Sequence, residues 1–308
     1  MIQVTNLTKY YGKKLAIQNL SFELKKGEIV GLLGLNGSGK TTTIRILSGY
    51  LVPSEGFSFI DGINIFQNPI QAKQKVGYLP ENPPLYEDLS VYDYLEFVSR
   101  IKGINLGSIQ EEIGRVCEKT NLMDEQNTIV SHLSLGYRKR VGIAQALLGN
   151  PSVIIMDEPI SGLDPKQIIE MRNLIKSLSG SHTLLISSHI LSEISRTCDR
   201  FLFLHQGKLC YENNLKELKT EMKKLSLLEI TISGKDKETI ESYLKNYSTD
   251  AEIKFFEEDL HGYTFTVKVG DENSFKDKIV SSLPLEGLHL EALKKQEVTL
   301  EQIFMSKL

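Results

Sequence analysis

Apolar positions fall into two regular patterns along most of the chain, and together they predict a layered α/β fold. Residues 28–33 and 153–157 are short and almost wholly apolar, as a strand buried on both faces of a parallel sheet must be. Residues 183–188 repeat the pattern. Residues 2–5 and 20–24 alternate apolar with polar and read as antiparallel strands, separated by a turn-like stretch, 9–14, that carries exposed aromatics. Residues 57–60 followed by Asp61-Gly62 predict a strand running into a hairpin. Residues 76–79 form a further strand, stopped by Pro80, and the prolines of 80–85 keep that segment out of regular structure.

The spacing turns helical from Ser90 to about Glu125, with Val91, Tyr94, Leu95 and Val98 on one face, then Ile109, Ile113 and Val116 on another. Gly103 and Gly107 divide this stretch into two helices. Another helix starts near Ser134 and is stopped by Gly149-Asn150-Pro151, with Arg138, Lys139 and Arg140 read as its solvated face. Beyond Leu218 the composition changes. A lysine-rich helical stretch, 216–224, precedes strands at 227–232, 251–256, 263–269 and 288–293, helices at 237–247 and 274–283, and a short closing helix at 299–305. That order predicts a small β-α-β-β-α-β, ferredoxin-like unit. The expected division is therefore 1–218, with a helical insertion at about 86–150, and a C-terminal accessory domain at 219–308.

Chemistry enters with Gly34-Leu35-Asn36-Gly37-Ser38-Gly39-Lys40-Thr41-Thr42, which fits the phosphate loop G-x-x-x-x-G-K-[ST] and lies between a predicted strand and a predicted helix. Glycines let the backbone curl until several N–H groups point at one centre, and the helix N-terminus adds partial positive charge there. Lys40 would reach the β- and γ-phosphates of a nucleoside triphosphate, and the Thr41 hydroxyl would ligate magnesium. The strand at 153–157 delivers Asp157 and Glu158 to its carboxyl end, where ligands lie in a doubly wound sheet. Asp157 suits a magnesium-bound water and Glu158 the attacking water; the plainer reading is a strand ending in acidic turn residues. His189 falls at the same edge. A lone histidine is more often structural, and His132, His182, His205, His261 and His289 are read that way. Tyr11 has two readings, stacking on a purine or packing on its own loop.

Composition narrows the classes. At 308 residues, a net charge of −3 gives no electrostatic case for nucleic acid, which is not expected as a partner, although a local basic patch stays open. Cys117, Cys198 and Cys210 are far apart and suggest neither a disulfide framework nor a zinc site. The first residues show no basic leader and no run of about eighteen apolar residues occurs, so any membrane role is expected to come through a partner.

Taken together, the motifs of residues 2–218 resemble the ATP-binding subunit of an ABC transporter. Residues 34–42 match the family's Walker A, 153–157 its Walker B and Glu158 its catalytic carboxylate. Tyr11 falls at the adenine-stacking aromatic, Ser161-Gly162-Leu163-Asp164 resembles the D-loop, and His189 the switch histidine. Leu133-Ser134-Leu135-Gly136-Tyr137 occupies the place of the signature Leu-Ser-Gly-Gly-Gln; Ser134 and Gly136 are kept, Leu135 and Tyr137 are departures. Glu81 stands where the family has its Q-loop glutamine, and its carboxylate could bind magnesium. Both departures are similar to exporter-type members, as is the ending 298–304.

The resemblance implies a P-loop ABC ATPase fold with an antiparallel β subdomain and a helical insertion. It also implies ATP and Mg2+ as ligands, and two chains, as homodimer or heterodimer, closing head-to-tail over two ATP. Ser134 and Gly136 of each would then complete the other's site. It implies separate transmembrane permease subunits and a cytoplasmic chain, peripheral on the membrane. The rival from another class is a soluble ABC ATPase acting mechanically on ribosomes, nucleic acid or a protein assembly, but a single phosphate loop and no long heptad run favour the exporter. A cassette that binds ATP without turnover is a third reading, opposed by the joint presence of Lys40, Asp157, Glu158 and His189. For the C-terminal unit, regulation or subunit joining stands level with a simple packing role.

Overall fold

The computed structural model describes residues 2–189, 191–214, 226–247, 252–259, 262–269 and 272–296. The chain divides into two compact units, Met1–Leu215 and Lys216–Leu308.

The first unit opens with β1 (Ile2–Tyr11) and β2 (Lys14–Leu24). Both run well past the predicted limits, through residues 9–11 and 14, which the alternation assigned to a turn. Asn6 and Asn19 adopt left-handed φ values of 51°, and the register shifts around them break the period-two pattern that a strand is recognised by. After β3 (Ile29–Leu33), α1 (Lys40–Leu47), β4 (Glu55–Ile60) and β5 (Ile63–Asn64) comes α2 (Pro69–Gln74), which no predicted helix anticipates. β4 and β5 are joined at Asp61-Gly62, both at positive φ, the conformation such a two-residue turn requires. The first sheet is antiparallel, in the order β2-β1-β4-β5.

The second sheet is built from β3, β6 (Val76–Leu79), β7 (Val153–Asp157), β8 (Thr183–Ser188), β9 (Arg200–His205) and β10 (Lys208–Asn214). Its order is β10-β9-β3-β8-β7-β6, parallel except for β10. Register pairs Leu33 with Ser188 and Asp157 with Ser187, so the carboxyl ends of β3, β8 and β7 form one row. One apolar cluster unites Leu7, Ile17 and Leu20 of the first sheet with Val30, Leu185 and Leu202 of the second and Ile44 of α1. Each of these buried side chains contributes about 1.5–3 kcal/mol by leaving water.

Between β6 and β7 lie α3 (Val91–Ile101), α4 (Ile109–Thr120) and α5 (Leu135–Leu147); α6 (Pro165–Ser177) and α7 (Leu191–Thr197) follow β7 and β8. Ser90 caps α3 by accepting from the Asp93 N–H, and Gly103, at φ +72°, follows its end. The reading of Arg138, Lys139 and Arg140 as a solvated face of α5 is wrong for two of the three. Lys139 is 3 % and Arg140 8 % exposed. Arg140 bonds the Thr120 carbonyl and Glu170, which supplies the acceptors that a buried guanidinium needs. The C-terminal carbonyls of α5 are in turn capped by Lys102, the residue after α3, bonded to the Gln145 and Leu148 carbonyls, and by Arg115 of α4, bonded to that of Leu147.

The second unit runs β11 (Ser226–Ser233), α8 (Lys237–Tyr247), β12 (Glu252–Asp259), β13 (Gly262–Val269), α9 (Glu272–Ser282) and β14 (His289–Gln296). Its antiparallel sheet has the order β12-β13-β11-β14 over a core of Leu228, Ile230, Ile240, Phe265 and Ile279. The predicted helices at 216–224 and 299–305, and the 298–304 motif, lie outside the described residues. Cys117 and Cys198 are buried and Cys210 exposed, all three free thiols.

Candidate functional site

The loop between β3 and α1 curls because Gly37 and Gly39 take φ values of +79° and +106°. A Cβ on Gly39 would stand 2.6 Å from Ile17 Cγ2, so the loop also needs glycine for space. α1 has no side-chain cap, and its first N–H groups have no acceptor within the helix. Lys40, almost fully buried, donates from Nζ to the Gly34 carbonyl at 2.7 Å. Burial lowers its pKa, and the carboxylates of Glu158, Asp157 and Glu81 oppose that shift. Ser38 Oγ is buried without a protein partner. A glycine-curled loop at a helix N-terminus, closed around a cation, fits a phosphate chain.

This loop is one wall of a cleft of about 610 Å³, lined by Asn36, Gly37, Ser38, Gly39, Lys40, Thr41 and Thr42. Tyr11 of β1 and Lys14, Leu15 and Ala16 of β2 form another part of the lining; Glu81, Glu158 and His189 complete it. The volume lies in the range of small-molecule sites. Lys14, Leu15 and Ala16 carry no motif and escape sequence reasoning.

Glu158, the first residue beyond β7, takes φ +47°, a conformation that costs a non-glycine residue about 1–2 kcal/mol. Its N–H donates to Ser187 Oγ at 2.9 Å, and its carbonyl accepts from Lys139 Nζ at 2.9 Å. Its carboxylate Oε2 lies 2.9 Å from His189 Nδ1. Ser187 also donates its hydroxyl to Asp157 Oδ1, so one serine orients both carboxyl-bearing residues. Asp157 is buried behind the cleft and not on its lining. Lys139 and Ser187 are functional neighbours that the sequence reading missed. The signal was present for Lys139, which stands four residues before Ile143 and eight before Leu147, on the face that helical spacing makes apolar.

Ser134, Gly136 and Asp164 do not join this cleft. Ser134 caps α5 and Asp164 caps α6, by accepting from the N–H groups of Tyr137 and Gln167. Gly136 packs on α6, where a Cβ would meet Gln167 at 2.9 Å. Gly34 serves through its carbonyl. Among the described residues no helix is long and apolar enough to cross a membrane.

Comparison with known proteins agrees with this geometry. Residues 17–161 match the ABC transporter family. The chain is 40% identical over 242 residues to the bacitracin transport ATP-binding protein of Bacillus licheniformis, covering 78% of each. It is 30% identical to the linearmycin resistance ATP-binding protein of Bacillus subtilis over 99% of this chain and 97% of that one. Among solved structures, an ATP-binding subunit of an ABC transporter superposes with a TM-score of 0.65 at 29% identity, over 72% of this chain and 92% of that chain. A dimeric ATP-binding cassette in a post-hydrolysis state, bound to ADP and Pi, gives 0.63 at 26% identity, over 70% and 99%. The chain therefore has the P-loop ABC ATPase fold and belongs to the ABC transporter family, as one of its ATP-binding, ATP-hydrolysing subunits.

Proposed function

We propose that two copies of this chain, or one copy and a related ATPase subunit, close over two MgATP and drive a separate transmembrane permease that exports an antibiotic. The observation that carries this reading is the convergence of the phosphate loop, Glu158 and His189 on one cleft. Lys40 exchanges the Gly34 carbonyl for the β- and γ-phosphates, and Tyr11 stacks on adenine. Glu158 orients and polarises the attacking water, and His189, already against its Oε2, holds the carboxylate toward the γ-phosphate. The Thr41 hydroxyl and the Glu81 carboxylate, which line the cleft, would hold magnesium, with Asp157 reaching it through a water, and the ion would supply neutralisation of phosphate charge. Ser134 and Gly136 present the N-terminus of α5 to the other subunit's nucleotide.

The permease holds the chain at the cytoplasmic face, and the names of its relatives support the cargo class. One acts in bacitracin transport, one in linearmycin resistance and one, from Streptococcus pyogenes, in lantibiotic transport. Light scattering on Glu158→Gln tests the closure. The expected result is a mass that doubles with magnesium and ATP and stays that of one chain with ADP; one chain's mass in both conditions overturns the proposal.

A further inference from the structure

We propose that Lys139 is a positioning residue for hydrolysis, which with Ser187 clamps the backbone of Glu158 and ties the catalytic carboxylate to the signature helix. The inference rests on the catalytic reading of Glu158. Glu158 lies just outside β7, where its carbonyl accepts the Ser161 N–H of the following turn at 3.2 Å, and its positive φ turns the side chain off the strand direction. Two side chains from other elements hold its backbone as well. Ser187 of β8 takes the N–H at 2.9 Å, and Lys139 of α5 holds the carbonyl at 2.9 Å. Lys139 reaches this carbonyl from within the protein, since it is buried like the core around it. An ammonium is costly to bury for packing alone, and a short apolar residue would fill the same place more cheaply.

The position of Lys139 gives the clamp a direction. It stands one turn beyond Gly136, on the same face of α5, so a displacement of the first turn of the helix is passed through Nζ to the Glu158 carbonyl. Burial disfavours the charge on this ammonium, and the carboxylates of Glu81 and Glu158 both act to keep it. Lys139 thus serves the reaction through Glu158, without touching nucleotide.

Steady-state ATP hydrolysis by the full chain tests this with Lys139→Met, which keeps the stem and removes the donor, and Lys139→Arg, which restores a cationic donor. The expected result is a fall in kcat on the order of 10- to 100-fold in Lys139→Met, with the KM for ATP unchanged and most of the rate recovered in Lys139→Arg. Wild-type kcat in Lys139→Met beside an inactive Glu158→Gln overturns the clamp and leaves the catalytic reading standing. Wild-type turnover by Glu158→Gln removes the catalytic reading itself. An equal loss of ATP affinity and rate in both lysine variants, with a lowered melting temperature, marks a packing role and also overturns the proposal.

Discussion

Glu158, the carboxylate proposed for catalysis, shows how much of a group's position lies outside its own side chain. Its carboxylate meets His189, its N–H meets Ser187 and its carbonyl meets Lys139, so β8, the residue that follows it and α5 together fix one residue. Replacing the carboxylate by an amide keeps the size and removes the base. Glu158→Gln is expected to bind ATP as wild type does and to lose about 10²- to 10⁴-fold in turnover, checked by single-turnover hydrolysis. Lys40 carries binding rather than geometry, and Lys40→Ala is expected to lose tight ATP binding in calorimetry; undiminished affinity would remove it from the phosphate site. The loop itself tolerates no side chain at residue 39. Gly39→Ala is expected to cost about 1–3 kcal/mol in stability, read by denaturant unfolding, because it meets Ile17 and forces a left-handed φ on alanine. The phosphate loop, Asp157, Glu158 and His189 were legible in the sequence because each follows an unmistakable apolar strand. Ser187 and Lys139 were not, since a serine within a strand and a lysine within a basic triplet look ordinary until their partners are known.

At the scale of elements, the parallel strands β3, β6, β7 and β8 were read closely, β9 and β10 were not anticipated, and the antiparallel strands of the first sheet were read short. β7 and α8 coincide with residues 153–157 and 237–247, whereas β1 continues past Thr5 through a kink at Asn6 that the two-residue period cannot register. The basic triplet of α5 misled because net charge argues for solvent, while the helical period argued for burial. α5 depends at its other end on Lys102, whose ammonium bonds the Gln145 and Leu148 carbonyls. Lys102→Met is expected to destabilise the fold by about 1–3 kcal/mol by leaving those carbonyls without their donor, as thermal unfolding would show. Burial pushes the Lys102 pKa down to about 8. Between that value and the unfolded lysine's value of about 10.4, the unfolded chain binds more protons, so this residue makes stability rise with pH across that window. Lys102→Met is expected to flatten the rise; an identical slope in the variant would refute the assignment.

At the scale of the whole molecule, the cleft and the signature cap lie in separate places. The phosphate loop, Glu158 and His189 share one cleft, while Ser134 and Gly136 stand at the start of α5, outside it. A chain built this way has a phosphate loop in one place and the Ser134-capped N-terminus of α5 in another, which is the arrangement the proposed head-to-tail pair would use. Closure of such a pair does work only if something is attached to it, and the proposed attachment is a membrane-spanning permease. The most direct test is affinity capture of tagged Glu158→Gln from detergent-solubilised membranes with magnesium and ATP, with the partners identified by mass spectrometry. The expected result is a stoichiometric polytopic membrane protein. Recovery of ribosomal proteins, nucleic acid or only soluble partners would contradict it.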